Sequence, residues 1–256
     1  MSLVSIDTTI LAKHVETAKS MPELYRKNQA YFQSLGLENF VLGINIYQEY
    51  AQGGRFHRKY LERCLEGLYE SLFELGLVSS INARIKSYIR YLQKMIKHYR
   101  DGESVTDIAD IYAAKLIAVS CTTEKEAIAK CYESLHLAKL FFKERGFELL
   151  SEVDYIKSPK SSGYQDLKMT FLTDKLTASK RPVSFEIQFQ SELMNFEASQ
   201  GRCSHLKYCQ LQDACIPIIF DPSKVSISGY LYKDGKIQDR SNLKDPWFFM
   251  GKNDSL

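Results

Sequence analysis

The stretch RPVSFEIQFQ, residues 181–190, alternates apolar and polar side chains with the two-residue period of a β-strand. Its apolar positions are Val183, Phe185, Ile187 and Phe189. Its polar positions, on the opposite face, are Glu186, Gln188 and Gln190. The alternation predicts a strand that turns one face toward an apolar core and presents an acidic residue between amides on the other face.

Other strands and two helices are predicted around this stretch. The strand candidates are AAKLIAVSC (113–121), FELLSEVD (147–154) and DLKMTFLTD (166–174). An amphipathic pattern predicts a helix from about Glu124 to Arg145, ended by Gly146, and another helix over 191–211. The pair Asp234-Gly235 is typical of a hairpin turn near the end of the chain.

The first third of the chain has helical patterning, from about Thr8 to Gln93. Helices are predicted over 20–35, 38–52, 57–75 and 81–100, and the last carries an apolar stripe of Ile85, Ile89, Leu92 and Ile96. We therefore expect an α/β (α+β) fold, a mixed β-sheet flanked by helices, with an N-terminal helical layer. The predicted division is a helical region at 1–80, an α/β domain at 81–220 and a β-hairpin tail at 221–256.

Composition excludes several classes of protein. No segment approaches the run of about 20 apolar residues that a membrane-spanning helix requires. The start, MSLVSIDTTILAKH, lacks the basic-then-apolar layout of a signal peptide, so we expect a cytoplasmic protein with no membrane partner. The formal net charge of +3 is too small to indicate a nucleic-acid partner by itself.

The segment DYIKSPKSSGYQDLK, residues 154–168, predicts a bent loop because Pro159 and Gly163 interrupt regular structure. The loop also contains Lys160 and Tyr164. An ammonium group binds phosphate oxygens and a tyrosine ring stacks on a purine, so the loop suits a phosphorylated, planar ligand. From composition alone, the alternative is a solvated surface loop.

Two carboxylates are candidates for metal binding and proton transfer. Asp110 precedes one predicted strand, and Glu186 lies in the middle of another. If both reach the same end of the sheet, their oxygens suit Mg²⁺, and one of them can take the proton of an attacking hydroxyl group. Taken singly, Asp110 is also typical of a helix or turn cap, and Glu186 of a strand residue paired with a lysine.

Four cations recur at helical spacing before Asp110, namely Lys86, Arg90, Lys94 and Lys97. A row of this kind is often a solvated helix face, and that interpretation stays open. Together with the lysine-tyrosine loop and the two carboxylates, however, the row favours a site for a nucleoside triphosphate with its metal.

Four motifs resemble the synthetase domain of the RelA/SpoT family. RIKSYIRYLQKM (84–95) is similar to that family's RxKxxxSxxxKM, and DIYAAK (110–115) is similar to DIxGIR. DYIKSPKSSGYQDLK is similar to DYIxxPKxNGYQSLH, and SFEIQFQSELMNFEASQGRCSHLKY (184–208) to VEIQIRTxxMHxxAExGxAxHxxYK. The motifs follow one another in the family's order over residues 84–208.

The resemblance implies a nucleotidyltransferase-like sheet and an enzyme that moves the β,γ-diphosphate of ATP to the 3′-hydroxyl of GDP or GTP, making (p)ppGpp. It implies Mg²⁺ as cofactor, with Asp110 and Glu186 as catalytic and metal-binding residues. The residues implied to contact ATP are Arg84, Lys86, Lys94 and Lys115. Those implied to contact the acceptor are Lys160, Tyr164, Gln188 and His205, the last being equally typical of a helix histidine satisfied in the core.

Two further expectations come with the resemblance. No HD pair of the family's hydrolase half occurs in the sequence, so we expect a small stand-alone synthetase. Relatives often form dimers or tetramers, which implies a homo-oligomer.

The sequence departs from these motifs mainly where the acceptor would bind. The replacements, each with the family's residue second, are Arg90 for Ser, Lys115 for Arg, Ser162 for Asn, Asp166 for Ser, Lys168 for His, Gln190 for Arg, Asn195 for His and Ser199 for Glu. Gln190 removes a fixed positive charge, and Asp166 adds a negative one close to the tyrosine. We therefore expect the triphosphate donor to be retained and the acceptor pocket to be remodelled.

Three functions stay open on the sequence alone. The first is synthesis of (p)ppGpp. The second is the same chemistry on an adenosine nucleotide or on the 3′ end of tRNA, for which the cations near 55–59 would suit an RNA backbone. The third is a catalytically silent nucleotide-binding protein, which the presence of both Asp110 and Glu186 disfavours.

Overall fold

The computed structural model describes residues 3–53, 55–176, 181–201, 203, 216, 229–233 and 236–240. The N-terminal part consists of α1 (Thr8–Thr17), α2 (Met21–Ser34), α3 (Glu38–Gln48), a π-helical turn (Glu49–Gly53) and α4 (Arg55–Glu74). The next elements are β1 (Val78–Ile85), α5 (Tyr88–Asp101), β2 (Tyr112–Ala118) and α6 (Glu124–Glu144). After these come β3 (Glu148–Asp154), β4 (Leu167–Leu176), β5 (Pro182–Gln190), α7 (Glu192–Ser199), β6 (Gly229–Lys233) and β7 (Lys236–Arg240).

The strands form one mixed sheet in the order β3-β4-β5-β2-β1-β6-β7. Strands β2 and β5 run parallel, and the other neighbouring pairs run antiparallel. A parallel pair cannot be joined by a tight turn, and here the connection passes through α6 and the hairpin of β3 and β4. The α/β (α+β) class and the mixed sheet flanked by helices are confirmed.

The apolar face of the sheet packs against α6. Val183, Phe185, Ile187 and Phe189 are all buried, as their alternation predicts. On α6, the ring of Phe142 lies 4.8 Å from that of Phe171 and 5.1 Å from that of Phe185, centroid to centroid. The helix begins at a capping box formed by Thr123 and Glu126, which satisfies backbone N–H groups that the first turn leaves unpaired. This packing fixes β5 and therefore the direction of its polar side chains.

The N-terminal helices hold α5 in place through polar and aromatic contacts. The side-chain amide of Asn28 donates a 3.0 Å hydrogen bond to the Tyr88 hydroxyl in a buried position. The Tyr47 hydroxyl donates to the backbone carbonyl of Lys86 over 2.7 Å. The helical layer expected from the sequence thus buttresses the segment in which two of the predicted ATP-binding lysines lie.

The helix predicted over 81–100 is wrong in its first part, because residues 78–85 form strand β1. The helix begins only at Tyr88, where the Ser87 side chain accepts a hydrogen bond from the Arg90 backbone N–H. Ile85 has the spacing of the helical stripe, but its backbone pairs with Tyr112 of β2. The sheet ladder outweighs the local helical pattern here, since β-branched residues suit a half-buried strand.

Two other predictions at the C-terminal end have different outcomes. The helix predicted over 191–211 is wrong in length, because α7 ends at Ser199 and Gly201 follows its cap; residues 204–211 lie outside the described part. The expected hairpin is confirmed by the antiparallel pairing of β6 with β7, although its turn at 234–235 lies outside the described residues. The division at residues 80 and 220 stays a prediction. Among the described helices, none combines the length and apolar character needed to cross a membrane.

Candidate active site

The polar side chains of β1, β2, β4 and β5 share one face of the sheet, which we call the polar face. Residues that pair directly across neighbouring strands project to the same side. One such row is Asn82, Lys115, Gln188 and Lys168. The next row is Arg84, Ala113, Glu186 and Thr170. The pairing therefore brings the predicted residues Arg84, Lys115, Glu186 and Gln188, from β1, β2 and β5, onto a single surface with Lys168 and Thr170 of β4.

Asp110 lies two residues before β2 and holds two lysines. Its Oδ2 is 2.9 Å from the Lys86 Nζ, and its Oδ1 is 2.8 Å from the Lys94 Nζ. Burial by itself would raise the pKa of Asp110, but the two ammonium groups outweigh burial and hold this pKa well below the usual range. Burial lowers the pKa of Lys86 to about 8, even though Asp110 opposes that shift. Asp110 is thus an ionised carboxylate that binds two lysines, and it does not act as a helix cap.

The predicted row of four cations divides in the structure. Lys86 lies before α5, and its backbone N–H donates to the Ile111 carbonyl over 2.8 Å. Of the two lysines that bind Asp110, Lys94 lies on the helix and Lys86 does not. Arg90 donates to the Gln93 side chain over 2.7 Å. Lys97 forms an exposed ion pair with Asp101, one turn along the helix. The single-helix row is therefore wrong, and the solvated-face alternative holds for Lys97.

Glu186 is the second acidic position, and it is buried on the polar face. Its Oε2 is 3.0 Å from the Nζ of Lys168, and its Oε1 accepts a 2.6 Å hydrogen bond from the side-chain amide of Gln188. The lysine pairing that the sequence left open as an alternative is present. This pairing does not separate Glu186 from the site, because Lys168 lies on the same surface as the predicted residue Gln188.

Lys168 was not among the residues predicted to function, although the sequence marks it as a replacement of the family's histidine. Burial would lower its pKa, but the carboxylate of Glu186 raises it, with further contributions from Asp166 and Asp110. One ammonium group thus lies within electrostatic reach of both predicted catalytic carboxylates. The period-2 spacing from Tyr164 through Asp166 to Lys168 is the signal that could have placed it on the polar face.

The loop between β3 and β4 brings Lys160 and Tyr164 to the same region. The Lys160 Nζ lies 4.9 Å from the centroid of the Tyr164 ring and 4.5 Å from that of Tyr155. The Tyr164 hydroxyl donates a 2.7 Å hydrogen bond to the Asp166 Oδ2. Burial lowers the pKa of Lys160, and Lys168 and Lys94 act in the same direction. The tip of the loop is solvated, whereas its tyrosine is anchored against the site.

The remaining predicted residues have more varied places. Lys115 is buried and donates a 3.1 Å hydrogen bond to the Asn195 side chain, which joins β2 to α7. Arg84 lies half-exposed on β1, and its charge acts on Tyr164. His205 lies outside the described residues. Contacts of these residues with nucleotides stay predictions.

The acidic residues suit Mg²⁺ that arrives with a nucleotide. In the part of the chain that the structure describes, no group of three or more histidine, cysteine, aspartate or glutamate residues could hold a metal alone. Mg²⁺ is, however, commonly bound by one or two carboxylates together with substrate phosphates and water. Asp110 and Glu186 are the two carboxylates that could hold Mg²⁺ in this way, and Lys86, Lys94 and Lys168 are the cations beside them that could bind phosphate oxygens.

The chain is similar in sequence to proteins of one known family. The sequence family described as "Region found in RelA / SpoT proteins" matches residues 83–213, just over half of the chain. The bifunctional (p)ppGpp synthase/hydrolase SpoT of Escherichia coli K12 is 27% identical over 165 residues, which cover 64% of this chain and 21% of that protein. A Vibrio cholerae guanosine-3′,5′-bis(diphosphate) 3′-pyrophosphohydrolase shows 27% identity over 164 residues. The chain spans about a fifth of the length of these curated relatives.

Solved structures of small alarmone synthetases are also similar. Bacillus subtilis small alarmone synthetase 2 has a TM-score of 0.47 and 20% identity, covering 64% of this chain and 85% of that one. Small alarmone synthetase 1 of the same organism, bound to pppGpp, has a TM-score of 0.44 and 22% identity, covering 62% and 82%. The family match includes Arg84 of β1, Asp110 before β2, Glu186 of β5 and the loop of Tyr164. This chain belongs to the RelA/SpoT family.

Proposed function

We propose that the chain is an ATP:nucleotide 3′-pyrophosphotransferase that makes (p)ppGpp from ATP and GDP or GTP. The observation that carries the proposal is the proximity of two lysine–carboxylate clusters, at Asp110 and Glu186. Both carboxylates raise the pKa of Lys168, and Glu186 raises that of Tyr164. Phosphoryl-group transfer depends on positioning and charge stabilisation, and this face provides carboxylates beside several cations. Membership of the RelA/SpoT family supports the same reaction class.

In the proposed reaction, the oxygen of the acceptor 3′-hydroxyl forms a bond to the β-phosphorus of ATP. The bond from that phosphorus to the bridging oxygen of the α-phosphate breaks, and AMP leaves. Glu186 takes the proton of the hydroxyl, while Lys86 and Lys94 turn from Asp110 toward the triphosphate. Mg²⁺, held by Asp110 and Glu186, would neutralise charge on the transferred group. A cytoplasmic location and a homo-oligomer accompany this proposal as predictions.

The direct experiment is thin-layer chromatography with γ-labelled ATP, Mg²⁺ and the acceptors GMP, GDP, GTP, ADP, ATP and bulk tRNA. We expect label on a guanosine nucleotide, together with release of AMP. Label on an adenosine nucleotide or on tRNA would retain the chemistry and replace the acceptor. Absence of labelled product on every acceptor would overturn the enzyme proposal in favour of a silent nucleotide-binding protein.

Replacing Tyr164 with alanine should raise the KM for the acceptor about 10-fold or more, because stacking of one base on an aromatic ring contributes roughly 1–3 kcal/mol. The KM for ATP should change much less. The measurement is initial-rate kinetics with each substrate varied in turn. Tyr164→Phe keeps the ring and removes only the hydroxyl that bonds Asp166, so this variant separates the contribution of the ring from that of the hydroxyl. Equal increases in both KM values would contradict the stacking role.

A further inference from the structure

Two buried oxygen atoms beside Tyr164 have no hydrogen-bond partner in the described part of the chain. They are the Oδ1 of Asp166 and the Oε1 of Gln190, and both side chains are fully buried. Buried polar atoms are nearly always paired, so each unpaired atom requires an explanation. Both residues are also replacements relative to the family's motifs, where serine and arginine stand.

The orientations of the two side chains are fixed by their other atoms. The Oδ2 of Asp166 accepts the hydrogen bond of the Tyr164 hydroxyl at 2.7 Å. The Nε2 of Gln190 donates to the Gln165 carbonyl at 3.0 Å, which leaves its carbonyl oxygen free. Leu167 pairs with Phe189 in an antiparallel register. Asp166, one residue before Leu167, therefore lies opposite Gln190, one residue after Phe189. Asp166 and Gln190 are therefore neighbours next to the proposed stacking ring.

The chemistry of the two oxygens restricts what they can bind. Both are acceptors, so they repel phosphate oxygens and require N–H or O–H donors. The Watson–Crick edge of guanine carries two adjacent donors, the N1–H and the 2-amino group. Adenine presents one amino group beside N1, which is an acceptor. In this pocket the lone pair of N1 would face the lone pair of a protein oxygen. Burial raises the pKa of Asp166. A hydrogen bond from an N–H donor would oppose that shift, because it stabilises the ionised carboxylate.

We propose that Asp166 and Gln190 form an edge that reads the two N–H donors of a guanine base stacked on Tyr164, and so determine the acceptor's base. This inference rests on the proposed function, because it places the acceptor nucleoside at Tyr164. It assigns to residues 166 and 190 a role in base recognition, in place of the phosphate binding that an arginine would favour. Gln190 in place of the family's arginine then fits a pocket that contacts the base and not a phosphate.

The test is isothermal titration calorimetry of GDP, inosine diphosphate and ADP against the full chain without ATP, so that no turnover is needed. Inosine diphosphate lacks only the 2-amino group. We expect GDP to bind about 10-fold more tightly than inosine diphosphate, since loss of the 2-amino group leaves the buried Gln190 oxygen unpaired. GDP should bind roughly 100-fold more tightly than ADP, since ADP also lacks the N1–H that bonds the charged Asp166. Asp166→Asn should weaken GDP binding about 10- to 100-fold without weakening ADP binding, because its amide presents a donor to the guanine N1–H.

Asp101→Asn, the same change on an exposed carboxylate at the end of α5, should leave all three affinities unchanged. If Asp166→Asn fails to fold, as judged by thermal unfolding, Gln190→Met supplies the second variant and should narrow the difference between GDP and inosine diphosphate. Equal binding of GDP and ADP by the unaltered chain, or an undiminished GDP preference in either folded variant, would overturn the inference. Preferential binding of GDP without labelled product would support the inference and overturn the proposed function. Transfer to GDP and ADP at equal kcat/KM would support diphosphate transfer and overturn the inference.

Discussion

Glutamine in place of Glu186 is expected to abolish diphosphate transfer, lowering kcat by about 1,000-fold or more, while nucleotide binding stays largely intact. The substitution removes the proposed general base and proposed ligand for Mg²⁺, and each of these roles contributes several kcal/mol to phosphoryl-group chemistry. It preserves the side-chain volume and an oxygen that can still accept from Gln188. The measurements are single-turnover transfer of label from ATP and, separately, equilibrium binding of the non-hydrolysable analogue AMPCPP.

The control for this variant is Glu152→Gln. Glu152 lies on β3 at the edge of the same sheet and is exposed, paired with Lys139, so the same chemical change should leave turnover unaltered. Turnover within 10-fold of the unaltered enzyme in Glu186→Gln would contradict the assignment of Glu186 to the reaction. Loss of AMPCPP binding together with turnover would show that Glu186 acts in donor binding and not in the chemical step.

Lys86→Met should destabilise the fold by about 3 kcal/mol, because it leaves the buried Asp110 carboxylate with one of its two ammonium partners. The free energy of unfolding would be measured by urea denaturation. The same variant should weaken ATP binding, since one of the two cations beside Asp110 is lost. Adding Asp110→Asn should cost less than the sum of the two single changes, because the double variant contains no uncompensated carboxylate.

Lys97→Met provides the comparison. Lys97 also pairs with an aspartate, but both side chains are about half exposed, and such pairs contribute less than about 1 kcal/mol. A cost for Lys86→Met as small as that for Lys97→Met would mean that Asp110 does not depend on the buried lysine. The proposed exchange of Lys86 between carboxylate and triphosphate would then lose its basis.

Much of the fold was accessible from local patterns. Side chains of a strand alternate between its two faces, so the pattern in residues 181–190 places all four apolar side chains on one face, and that face lies in the core. The capping residue Thr123 and the terminal Gly146 bound α6 for equally local reasons. By contrast, β1 was missed, because its isoleucines also satisfy a helical spacing and only pairing with β2 distinguishes the two.

The candidate site shows the same division between local and long-range information. The sequence indicated Asp110, Glu186, Lys160 and Tyr164 as candidates, since their types and motif positions are typical of phosphate chemistry, and their roles stay predictions. It did not predict that Lys86 and Lys94 converge on one carboxylate, and it left open a lysine partner for Glu186 without identifying Lys168. Each of these contacts joins residues from different elements, and no local rule sets their distance.

The sequence by itself therefore determined the class of fold, the family resemblance and the residue types available for chemistry, because all of these are written in short-range patterns. The tertiary structure decided which charges meet, which are buried and which oxygens beside Tyr164 lack a donor. The physical reason is that ion pairing and desolvation depend on distances of a few ångströms between residues far apart in the chain. Strand register and the packing of α5 set those distances, and both are properties of the whole fold.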